Sequence, residues 1–118
     1  MKAVLLDALG TLLRLEPPAP ALRRELAARG VDVDAAAAER AMAAEIAYYR
    51  AHNLEGGDRS RLADLRHRCA HVLAQALPEP VEPDVAHASL LAALRFTAWE
   101  EAPAALESLR AAGLRLVV

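Results

Sequence analysis

Two short apolar runs stand at opposite ends of this chain: residues 2–6 (Lys-Ala-Val-Leu-Leu) and residues 114–118 (Leu-Arg-Leu-Val-Val). Almost everything between them carries helical periodicity. Strands separated by helices in this order predict a parallel sheet with helical covering. Two strands alone cannot complete such a sheet, and a parallel pair leaves both edges open. The expected class is therefore α/β, with a parallel-sheet core interrupted by a helical insertion. The chain reads as an incomplete, mostly helical N-terminal portion of such a domain, continuing past Val118. Composition agrees: 29 alanines and 20 leucines among 118 residues favour helix, and four aromatic residues leave little for an all-β core. A chain that is 55% apolar also buries enough surface to offset the entropy of ordering it, which excludes disorder.

Local signals divide the middle of the chain. Pro17, Pro18 and Pro20 punctuate it before a short helix over residues 21–29, where Leu22 and Leu26 share a face and Gly30 supplies the cap. Asp34 reads as the N-cap of a long helix from residue 35 to 52 or 53, with an apolar face of Ala38, Met42, Ile46 and Tyr49. Residues 59–77 hold the cleanest stripe: Leu62, Leu65, Cys69, Val72 and Ala76, widened by Leu73 and Leu77. A shorter helix turns Leu90, Leu91 and Leu94 inward. Residues 96–101 read as a connector, and a helix over 103–112 is capped by Gly113.

Charge narrows the range of functions. A net charge of -2, with no basic stripe laced with aromatics, argues against nucleic acid as a partner. The N-terminus reaches Asp7 after four apolar residues, with no signal-peptide core, and nothing approaches a membrane span. One cysteine, Cys69, cannot form an internal disulfide, and a cytoplasmic location is the expectation. Partners are then a small-molecule substrate, with the oligomeric state left open.

Chemistry centres on Asp7. An acid at the carboxyl end of a parallel strand, followed by Gly10 and Thr11, sits where open α/β sheets gather ligands. A carboxylate there can attack a phosphorus or carbon centre, or bind a divalent cation. The Gly10, Thr11 and Leu12 amides are expected to converge on an anion.

The run Val4-Leu5-Leu6-Asp7-Ala8-Leu9-Gly10-Thr11-Leu12-Leu13 resembles the first motif of the haloacid dehalogenase-like (HAD-like) hydrolase superfamily, a hydrophobic strand ending in DxDGTL/V. The resemblance extends over the chain. It implies a Rossmannoid parallel core with residues 1–15 as first strand and nucleophile loop. Residues 16–95 would be the helical cap (subclass I type), and residues 96–118 the return through a helix into the second strand. On this likeness Asp7 is the aspartyl nucleophile and Thr11 supports the motif loop. If the protein is Mg²⁺-dependent, the Asp7 carboxylate and the Leu9 carbonyl are metal ligands. The implied function is hydrolysis of a small molecule through an aspartyl-ester intermediate.

One departure bears on substrate. Phosphatases of the superfamily carry a second aspartate two residues after the nucleophile, and here that residue is Leu9, which can neither donate nor accept a proton. The alternatives are a 2-haloacid dehalogenase-type enzyme needing no metal, an Mg²⁺-dependent phosphomonoester phosphatase, or a catalytically inactive member. Phosphonate-cleaving relatives use a cap lysine, whereas the single lysine here is Lys2. In dehalogenases a cap arginine binds substrate carboxylate and halide, making Arg40 and Arg50 the substrate-binding candidates. The 118 residues, lacking the later motifs, are expected to be inactive alone.

Other polar groups read as structural. Asp64, His67 and His71 share a helical face with the spacing of a metal pair, but that face lies opposite the apolar stripe and reads as solvated. His52 and Asn53 sit at a helix end, His87 is unremarkable, Cys69 belongs to the core, and Phe96 and Trp99 pack near the hinge.

Overall fold

A computed structural model describes residues 2–118. The chain divides into two compact units, one of residues 2–16 with 95–118 and one of residues 17–94.

The second unit is helical: α1 (Pro18–Ala28), α2 (Ala35–His52), α3 (Arg59–Ala76) and α4 (Pro83–Ala93), with a short 3₁₀ turn at Asn53–Glu55. The helices start where backbone chemistry allows. Pro18 and Pro83 open α1 and α4, where a missing N–H costs nothing. Asp34 accepts a hydrogen bond from the Ala37 amide at 2.6 Å, and Asp58 accepts from that of Arg61 at 2.8 Å. The first helix therefore begins three residues earlier than the sequence suggests, because its prolines lie within the first turn instead of before it.

The four helices close into a ring, α1 packing on α2 and α4, and α3 packing on the same two. Leu22, Leu26, Leu65, Leu73 and Leu90 are fully buried at its centre. Each contributes about 1.5–3 kcal/mol relative to exposure, set against the entropy of ordering the chain. Buried Ala37, Ala38 and Ala41 on α2, with Ala70 on α3, keep the helices close. On α3 the expected stripe is rotated slightly: Leu65, Cys69, Ala70 and Leu73 are buried, while Leu62, Val72 and Ala76 are half-buried.

Two inward-facing expectations are corrected. Tyr49 and Leu91 are exposed. On α2 the place opposite α3 goes to Glu45, only 5% exposed, because the alanine-rich helix has no large apolar residue at that angle. Burial pushes the Glu45 carboxyl above its ordinary range, opposed by a hydrogen bond from the Cys69 thiol. Burial first, then the neighbouring Glu45 charge, raises Cys69 to about 11, which makes it an inert thiol.

The sign of the consequence follows from linkage. A carboxyl raised in the folded state costs nothing below its unfolded value near 4.5. Stability is lost as pH rises through the folded value. Glu45→Gln is therefore expected to raise the thermal midpoint of the helical unit at pH 7.5 by a few degrees. The gain should shrink towards zero below pH ~4. Thermal denaturation followed by circular dichroism at both pH values checks this.

The first unit carries the strands. β1 (Ala3–Leu5) pairs in parallel with β4 (Arg115–Val117), in the register Ala3 to Arg115 and Leu5 to Val117. β2 (Leu13–Leu15) pairs antiparallel with β3 (Phe96–Ala98). Residues 96–98 are thus a strand and not the connector expected from sequence. Three residues are too few to display a period, and their partner lies more than 80 positions away. Helix α5 (Ala102–Ala111) leads into β4. The described sheets are these two two-stranded ones. Phe96 and Trp99, expected to pack, are exposed, and the Arg14 guanidinium lies 5.2 Å over the Trp99 ring.

Candidate active-site loop

The loop after β1 is built from short-range backbone bonds. The Leu6 amide donates to the Val117 carbonyl at 2.8 Å and extends the parallel ladder one residue beyond β1. Asp7 follows directly. The chain then folds tightly: the Ala8 carbonyl accepts from the Leu12 and Leu13 amides at 2.9 and 2.8 Å, and more weakly from Thr11 at 3.4 Å. The Gly10 amide donates to the Leu13 carbonyl at 2.7 Å, closing the turn on β2. Gly10 has φ of 86°, a left-handed conformation that a Cβ would strain.

These bonds correct one expectation. The Gly10, Thr11 and Leu12 amides point into the loop's own carbonyls and are not collected around an external anion. The amides of Ala8 and Leu9, next to Asp7 in the chain, have no acceptor among the described residues. They are the amides that the loop's own hydrogen bonds do not use.

Asp7 is exposed, and Thr11 Oγ1 donates to its Oδ2 at 3.4 Å. That is a long hydrogen bond between exposed groups. Leu9 is 58% exposed, so its side chain adds an apolar surface beside Asp7 in sequence and no proton donor. No amide donates to the Leu9 carbonyl among the described residues. A carboxylate and a backbone carbonyl are hard oxygen donors of the type Mg²⁺ takes, two of its six positions.

Arg40 and Arg50 both belong to α2 in the helical unit and both are exposed. The structure gives neither a partner that singles it out for binding.

One cluster of polar groups in the helical unit is organised around Arg68. Its guanidinium donates to Tyr48 Oη at 2.9 Å, Glu55 Oε2 at 2.7 Å and Asp64 Oδ2 at 2.9 Å. His52 Nδ1 lies 2.7 Å from the other oxygen of Glu55. The His52 bond, then the Arg68 bond, holds the Glu55 carboxyl below its usual range. This network ties the 3₁₀ turn to α2 and α3, and sequence reading missed it because its members are spread over 21 positions. The spacing of Asp64 and Arg68, one turn apart on α3, was the available signal. His52 thus ends a helix through side-chain pairing as well as position. His67 and His71 are exposed, and no group of three or more metal-ligating side chains converges among the described residues.

No helix among the described residues is long and apolar enough to cross a membrane. No family model, curated protein or solved structure matches this chain.

Proposed function

We propose that this chain is the nucleophile-bearing and cap-bearing part of a HAD-like hydrolase that acts on a small molecule through Asp7. The observation that carries the reading is the position of Asp7. It stands one residue past the last ladder bond of a parallel-paired strand, with the Thr11 hydroxyl on its carboxylate. Support also comes from the order of the chain, in which a four-helix unit interrupts the strand-bearing unit between β2 and β3.

In the proposed chemistry Asp7 Oδ attacks the electrophilic centre, and the leaving group departs with the bonding pair. Water then hydrolyses the resulting ester, restoring the carboxylate. The Ala8 and Leu9 amides are donors for negative charge developing on the substrate.

Leu9 favours a halide as leaving group. An alkoxide needs a proton as it departs, and a missing general acid typically costs ~100- to 10,000-fold. Halide needs none. Were the substrate a phosphomonoester, Mg²⁺ held by the Asp7 carboxylate and the Leu9 carbonyl would neutralise phosphate charge.

The test uses the product of the entire reading frame. It is assayed with 2-haloacids in the presence of a chelator, and with phosphomonoesters plus Mg²⁺. Halide release without metal is the expected result. Leu9→Asp is expected to lower that rate and introduce Mg²⁺-dependent phosphate release. Wild-type phosphatase turnover near the ordinary ~10 per second would overturn the argument from Leu9. Absence of both activities would favour the inactive alternative.

A further inference from the structure

One contact in the helical unit has no part in the proposed chemistry. His67 of α3 and His87 of α4 stack face to face, ring centroids 4.1 Å apart and planes inclined by 19°. His67 is exposed and His87 half-buried. In this geometry the ring nitrogens of the two residues lie in near-parallel planes and do not converge on a shared point. The pair is therefore a poor chelate and a good apolar contact, provided the rings are neutral.

We propose that the His67–His87 stack is an acid-sensitive latch, which holds α4 to α3 when neutral and loosens that seam when both rings are charged. Two unit charges about 4 Å apart repel across a contact that excludes water from between them. Histidine is the side chain whose ordinary titration range makes this a mildly acidic event.

The groups surrounding His87 favour the neutral ring. Burial lowers its affinity for a proton most, and His67 and Arg66, both on α3, lower it further. Asp84, one turn earlier on α4, is the opposing charge. Helix α1 also packs on α4, and among the described residues it supplies no charge acting on His87. The sign is that of a depressed base. Stability is complete above the ordinary histidine value near 6.5 and is lost as pH falls through the lower, folded value. Glu45 works in the opposite direction, so the informative comparison is between variants at matched pH.

The experiment follows the imidazole resonances of the 118-residue chain by NMR from pH 8 to 5. It also records hydrogen-exchange protection of the α4 amides at pH 7.5 and 5.5, corrected for intrinsic exchange. In wild type the His87 midpoint is expected below the ordinary value, with α4 protection falling about tenfold between the two pH values. In His67→Gln the His87 midpoint should rise towards the ordinary value, and most of the loss of protection should disappear. His87→Gln, removing the other ring, should likewise spare α4 and serves if the first variant folds poorly. An unchanged His87 midpoint in His67→Gln would overturn the proposal. So would equal loss of α4 protection in wild type and in the variants.

Discussion

Asp7→Asn in the product of the entire reading frame is expected to reduce turnover by roughly 10⁴-fold or more, whichever substrate that product hydrolyses. Asparagine keeps the size of aspartate and can still accept from Thr11 Oγ1, so the loop has no reason to refold. What disappears is the anionic oxygen proposed to form the ester. The variant should therefore lose kcat while retaining substrate affinity, which separates a lost nucleophile from a lost fold. Steady-state kinetics with a freshly purified variant, checked by mass for deamidation, makes the measurement. Wild-type turnover in the intact Asp7→Asn variant would remove Asp7 from the role of nucleophile, and with it the functional reading.

Leu65→Asp should unfold the helical unit. Leu65 is fully buried between α3 and its neighbours. Truncating such a leucine to alanine typically costs about 2–5 kcal/mol, and a carboxylate in its place adds the cost of burying an unpaired charge. Against a typical domain stability of about 5–15 kcal/mol, the combined loss is large enough to empty the folded state. Helical ellipticity at 222 nm should fall sharply at neutral pH. His67→Ala, two residues further along the same helix on its exposed side, should leave the signal unchanged. At that pH its contribution lies within the ~0.5 kcal/mol usual for surface positions. Similar losses in both variants would show that the buried face of α3 is not the one described.

The helices were legible because their determinants are local. Asp34 caps α2 through an amide three residues away, and the stripe containing Leu65, Cys69 and Leu73 repeats at the spacing of one or two turns. Gly113 ends α5 with φ of 77°, a conformation that glycine tolerates without strain. The apolar runs at the two chain ends were legible as strands for a related reason: each is a short, mainly hydrophobic segment next to a turn signal. The candidate site was legible only as a cluster of residue types, Asp7, Gly10 and Thr11. Which amides that loop consumes, and which it leaves beside Asp7, depended on the backbone path through Ala8 and Leu13.

Sequence by itself determined the helices, the strands at the two ends of the chain and the acid that follows the first of them, since those depend on residues within about four positions of one another. Tertiary structure alone decided the pairing of β2 with β3, the burial of Glu45 and the stacking of His67 on His87. The strand pairing joins segments more than 80 positions apart and the histidine stack joins residues on separate helices, so no local pattern records either. Glu45 is the plainest case. On an alanine-rich helix the angle that faces the neighbouring helix is set by packing, and packing put a carboxyl there.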